Sequence, residues 1–149
     1  MEAKDLIRKY LGNNHVMQLA TMLAGKPQIC TVHYAFDDDF NLYWCSSRTS
    51  HHSMALKDNK QVAVGILQDV DLRQCIHAQG KAYQILDEKE AQKADEFYSQ
   101  RFGKSPKRLQ SVLAEGEEAP GIYVFKPSQL VLFDAANFPD NPRNELKLS

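Results

Sequence analysis

The sequence predicts a mainly β protein: a small β-barrel of about seven mostly antiparallel strands, with a helix at the start and a helical insertion late in the chain. Runs of residues that alternate or are continuously apolar recur at strand length along the chain. Turn residues separate them at hairpin-like distances. Gly80 interrupts the long run between Leu72 and Leu86, and a glycine inside a strand marks a bend of the kind that lets a sheet close.

The totals set the outer limits. At 149 residues the chain suits one domain, 1–149. A formal net charge of -1 argues against a partner bound through counterion release, so nucleic acid is not expected. No apolar run reaches membrane-spanning length, and the charged start, Met1-Glu2-Ala3-Lys4-Asp5, lacks the apolar segment of a signal peptide; a cytoplasmic protein is predicted. Cys30, Cys45 and Cys75 lie far apart in strand-like runs and form no CxxC, which predicts buried thiols and neither disulfides nor a zinc site.

The elements follow in order. Ala3, Leu6, Ile7, Tyr10 and Leu11 have helical spacing, and Gly12-Asn13-Asn14 stops that helix. Residues 15–23 and 28–36 read as a hairpin about Ala24-Gly25-Lys26-Pro27. On its second strand Cys30, Val32, Tyr34 and Phe36 share one face, and Ile29, Thr31, His33 and Ala35 the other. Asp37-Asp38-Asp39 is read as a solvated acidic turn in preference to a metal loop. Phe40–Ser46 is the third strand, Gln61–Leu67 a buried one, and Leu72–Leu86 a long one. Asp87 with Glu90 opens one helix of the insertion and Ser105-Pro106 the next. Gly121–Phe125 and Gln129–Phe133 read as two final strands parted by Lys126-Pro127-Ser128, and Asn137–Asn144 as irregular surface chain.

The stretch with the most chemistry joins the third strand to a short helix. Ser46, Ser47, Arg48, Thr49 and Ser50 are followed by His51 and His52, so hydroxyls, a guanidinium and helix-start amides meet at one turn. That combination suits an anion, most of all a phosphate. The same serines would equally serve a loop that only caps its helix, and composition weighs the two readings evenly. Adjacent histidines do not share a helix face, so no metal site is assigned. His33 and His77, each within a strand, suit the wall of a pocket. No nucleophile elbow, P-loop or dinucleotide GxGxxG is present.

The order of segments resembles a known family. Pro27-Gln28-Ile29-Cys30-Thr31-Val32-His33-Tyr34, Leu42-Tyr43-Trp44-Cys45-Ser46-Ser47, Ser50-His51-His52-Ser53-Met54-Ala55-Leu56 and Asn59-Lys60-Gln61-Val62-Ala63-Val64, with Gly80-Lys81-Ala82 after them, are similar to the pyridoxamine 5'-phosphate oxidase-like flavoproteins, in particular their single-domain, general stress protein branch. The resemblance implies a split barrel that pairs into a homodimer and holds FMN between its subunits. It implies a ring bordered by Thr31, Val32, His33 and Tyr34, further contacts from Cys45, Ser46 and Ser47, a phosphate gripped at Ser50, His51 and His52, and a glutamine contact from Gln74. The family commonly has arginine or lysine where this chain has His51 and His52, and the C-terminal substrate signature of the vitamin oxidase is absent. An FMN-dependent oxidoreductase without an assigned catalytic residue is the first expectation. The alternatives are a non-catalytic module that holds flavin or haem for sensing or storage, and a structural dimer that has lost its cofactor.

Overall fold

A computed structural model describes residues 1–148. Helix α1 (Ala3–Asn13) leads into strands β1 (Val16–Leu23), β2 (Lys26–His33), β3 (Ala35–Phe36) and β4 (Leu42–Ser47). After helix α2 (His51–Asp58) come β5 (Gln61–Asp69) and β6 (Gln74–Gln84), the helices α3 (Glu88–Phe102) and α4 (Pro106–Leu113), and finally β7 (Pro120–Asp134) and β8 (Arg143–Lys147). The strand order is β2-β1-β5-β6-β7-β4-β3, with β8 beside β7, and every pairing is antiparallel. This is the mainly β, curled half-barrel that the alternating runs predict.

Local signals placed the first elements well. Ala24 and Gly25 have φ of 52° and 76°, so the β1–β2 connection is a two-residue turn with both centres left-handed, matched to the twist of a hairpin. Leu6, Ile7, Tyr10 and Leu11 of α1 are all buried in the barrel core. Register puts α1 against the end of the barrel where β1 starts and β7 finishes; α2 lies across the other end, where the Asp58 carboxylate accepts from the Ala24 amide at the hairpin tip.

Four expectations are corrected. The second strand does not run unbroken from Gln28 to Phe36: it ends at His33, the Tyr34 amide bonds to the His15 carbonyl, and Ala35-Phe36 pairs with β4 instead of β1. That change of partner carries the chain across the split in the barrel. The acidic turn is solvated only at Asp38 and Asp39, whereas Asp37 is buried; its carboxylate accepts from the Asp39 and Asn41 amides, the Asn41 side chain and the Tyr43 hydroxyl. The two final strands are one, β7. Pro127 causes no break because it pairs with Gly80 at a bulge in which Ser128 is the extra residue, and a bulge tolerates a missing N–H. A Cβ on Gly80 would stand 2.2 Å from the Lys126 carbonyl oxygen, so only glycine permits this approach. The chain after Asn137 is irregular only as far as Pro142, since Arg143 to Lys147 form β8.

Strand alternation divides the molecule into two cores and one open face. Leu19, Leu42, Trp44, Val64, Ile76 and Leu132 point into the barrel. Tyr43, Ile122 and Val124 point outward from β4 and β7 and are covered by Ala91, Ala94 and Val112 of α3 and α4. The outer face of β1, β2, β5 and β6 has no helix over it, and there Val16, Ile29 and Leu67 are exposed around Ala20, Ala63 and Gly65.

Candidate functional site

The polar turn is compact because its serines bond to one another. Ser50 takes the N-cap position with extended backbone, and its Oγ accepts from the Ser53 amide. The Ser53 hydroxyl donates to the Ser47 carbonyl at 2.7 Å and lies 2.8 Å from Ser50 Oγ. His52 turns back over the cap: its Nε2 is 2.8 Å from Ser46 Oγ and 3.3 Å from Ser50 Oγ. Ser47 and Thr49 share a hydroxyl contact of 3.1 Å on the exposed side. With the Ser53 and Met54 amides satisfied by Ser50, those of His51 and His52 are the free donors of the helix start. A small anion placed here meets two amides, hydroxyls and an imidazole. Burial holds the pKa of His52 below 6.5, and the neighbouring His51 adds to that, so His52 is neutral at pH 7.

Ser46, Ser47, Ser50 and His52 therefore come together, with the exposed ring of His51 beside them. Arg48 does not join them. Its guanidinium is buried and donates to the carbonyls of Gly116 at 2.7 Å, Val112 at 3.0 Å, Pro120 at 3.2 Å and Ser111 at 3.4 Å, which fastens the C-terminal end of α4 to the barrel. Cys45 lies on the other side of β4, under α3, where burial pushes its thiol up to about 11. Gln74 is also buried and donates to the Asp134 carboxylate at 3.1 Å.

Strand β2 packs against both β4 and α2, but the second group of predicted residues, Thr31 to Tyr34, lies at its far end, where β1 starts. Thr31 is exposed and bonds to Gln18 at 2.8 Å; His33 is exposed and stacks on Phe102 with ring centres 5.9 Å apart. Val32 is half-buried against the barrel core. Tyr34 is fully buried, donates to the Leu11 carbonyl, and lies under the Arg101 guanidinium at 4.8 Å. Of this group, Thr31 and His33 present side chains to the open face, while Val32 and Tyr34 offer only backbone there. The three cysteines are free but only partly buried, which moderates the expectation of buried thiols.

Three further residues help to shape this region. Ser53 completes the serine cluster, and its place three residues after the cap was a usable signal. Tyr123 stacks on Trp44 at 5.5 Å beneath α2, and Arg101 covers Tyr34 and Phe36. Neither had a local signal, since both reach their neighbours only through the sheet and the insertion.

The Bacillus anthracis general stress protein 26 shares the fold with a TM-score of 0.70 at 18% identity, over 99% of this chain and 100% of that one. A pyridoxamine 5'-phosphate oxidase-related, FMN-binding protein from Nostoc punctiforme matches with a TM-score of 0.67 at 16% identity, over 95% and 87%. HutZ, the haem storage protein of Vibrio cholerae, matches with 0.68 at 17%, over 87% and 94%. At such identities the likeness is one of fold. No curated protein matches the chain. The family model for pyridoxamine 5'-phosphate oxidase matches residues 3–128, and on that match the chain belongs to the pyridoxamine 5'-phosphate oxidase family.

Proposed function

We propose that the protein is a cytoplasmic flavoprotein that binds FMN between two copies of itself and serves as an oxidoreductase for a small molecule. The observation that carries this reading is the cluster at the start of α2, where His52, Ser46 and Ser50 converge beside the free amides of His51 and His52. The donor set fits a phosphate: amides and hydroxyls would occupy its oxygens, with the exposed His51 ring beside them. Thr31, His33 and the extended backbone through Val32 and Tyr34 would border the ring, and Ser47 would lie at the rim. Bound FMN would supply the hydride and electron chemistry. The chain's part is to hold the phosphate, orient the ring and keep one face of it dry.

Pairing has its own support. Val16, Ile29 and Leu67 are 43%, 71% and 61% exposed on an uncovered sheet face, and an exposed apolar patch of this kind suits pairing with a second copy. The free cysteines fit a reducing compartment. Among the described residues no helix is long and apolar enough to cross a membrane.

A second reading, a module that stores flavin or haem without turnover, is favoured by one feature: His51 and His52 stand where the family commonly carries permanent cations, and His52 is neutral at pH 7. The absorption spectrum of the purified protein, with mass spectrometry of what it releases on unfolding, separates the two. Flavin bands and released FMN that nicotinamide cofactors reduce support the oxidoreductase. A Soret band, or flavin that no donor reduces, supports the module. Colourless protein that leaves FMN fluorescence unchanged would refute both.

A further inference from the structure

The open sheet face carries a cluster of lysines toward the tip of the β1–β2 hairpin. Antiparallel register sorts this face into cross-strand rows. Val16 and Leu67 belong to a row that also holds Cys75 and Phe133; toward the hairpin tip, a row of Ile29, Ala20, Ala63 and Gln79 is followed by one of Pro27, Met22, Gln61, Lys81 and Lys126. In that last row Lys81 and Lys126 are paired directly across β6 and β7, both exposed. Like charges placed opposite each other weaken a sheet, and repulsion increases when a third cation stands near. Lys60 is that third cation: its backbone adjoins Ala82, next to Lys81, and all three lysines border one hollow.

Neither usual explanation for surface lysines applies. Lysines guard exposed sheet edges, but β6 and β7 are interior strands of the order β2-β1-β5-β6-β7-β4-β3. Lysines also neutralise nearby acids, yet among the described residues none of the three is in an ion pair. Instead they line one cleft of about 740 Å³, floored by Ala20, Met22 and Ala63, with no carboxylate in its wall. Its size is that of a small-molecule pocket, and clustered cations over apolar walls concentrate a positive field there. The Gly80 bulge sets Lys126 and Ser128 at its rim.

We propose that this lysine cleft binds a phosphorylated small molecule of mononucleotide size, with the phosphate among Lys60, Lys81 and Lys126 and the apolar portion on Ala20, Met22 and Ala63. None of residues 46–52 lines the cleft, so the site is separate from the turn assigned to FMN, although its floor of Ala20 and Ala63 belongs to the sheet face assigned to a second copy.

Isothermal titration with inorganic pyrophosphate and with adenosine 5'-monophosphate, at low salt, tests the site in wild type, K81Q/K126Q and K60Q. Wild type is expected to bind both probes, and the double variant at least tenfold more weakly, with FMN affinity unchanged. In phosphate-free buffer K81Q/K126Q should melt no lower than wild type because repulsion is relieved, and pyrophosphate should raise the melting temperature of wild type alone. K60Q, which keeps the cross-strand pair, should show an intermediate loss. Equal binding by wild type and K81Q/K126Q, or binding by neither, overturns the proposal. So does loss of FMN from K81Q/K126Q with H52Q unaffected, because the cleft would then be the flavin's own phosphate site.

Discussion

His52 is a residue whose environment opposes its charge. Burial and His51 hold its pKa below 6.5, so the folded protein takes up a proton there less readily than the unfolded chain does. The stability this contributes is present above the unfolded value near 6.5 and is lost as pH falls toward the folded pKa. Thermal melts of the ligand-free protein should therefore fall between pH 7 and 5, and H52Q should flatten that part of the profile. Arg48 makes a contrasting prediction. Its buried guanidinium serves four backbone carbonyls, so Arg48→Ala should cost about 3 kcal/mol in urea unfolding while leaving FMN affinity within a few-fold. Normal stability with lost FMN binding would return Arg48 to the phosphate. The sequence showed Arg48 among hydroxyls, where an anion role was reasonable; its acceptors lie between 63 and 72 residues further on, beyond any local pattern.

At the scale of elements, a buried latch joins α1 to the end of β7. Asp134 is fully buried, and its carboxylate accepts from the Tyr10 hydroxyl at 2.5 Å, the Gln74 amide at 3.1 Å, and the Asn137 backbone and side chain. Burial alone would raise its pKa, but the bonds from Tyr10, Asn137 and Gln74 outweigh burial and hold it below 3.8. A carboxylate depressed in this way stabilises the fold above its unfolded pKa and loses that contribution as pH falls through the folded one. Tyr10→Phe should cost about 2 kcal/mol at pH 7, with the difference from wild type shrinking in melts below pH 4. The β6–β7 bulge gives a second test: Gly80→Ala forces a Cβ against the Lys126 carbonyl and should cost about 3 kcal/mol. An unchanged melting temperature would mean the strands part there easily. Helices α1 and α3 and the β1–β2 hairpin were legible because caps, apolar spacing and the Ala24-Gly25 turn are local. The continuity of β7 through Pro127 was not, since it is decided by Gly80 on the neighbouring strand. Asp37 was likewise read from its acidic neighbours, while its burial depends on Tyr43 across the β3–β4 pair.

For the whole molecule, alternation predicted which strand faces are apolar, but the position of α3 and α4 decided which of them stays open. The helices cover β4 and β7, leaving the outer side of β1, β2, β5 and β6 uncovered. Ile29→Glu should convert the proposed dimer to monomer in sedimentation velocity and weaken FMN binding at the same time, if the flavin is shared. FMN recognition at the start of α2 turns on one functional group, the phosphate. Comparing FMN with riboflavin, which lacks that phosphate, isolates it in a fluorescence-quenching titration of wild type and of S50A/H52Q. Wild type is expected to bind FMN at least a hundredfold more tightly than riboflavin, and the double variant to lose most of that ratio. Equal affinities for the two flavins in wild type, or a preference for FMN untouched by S50A/H52Q, would contradict this expectation.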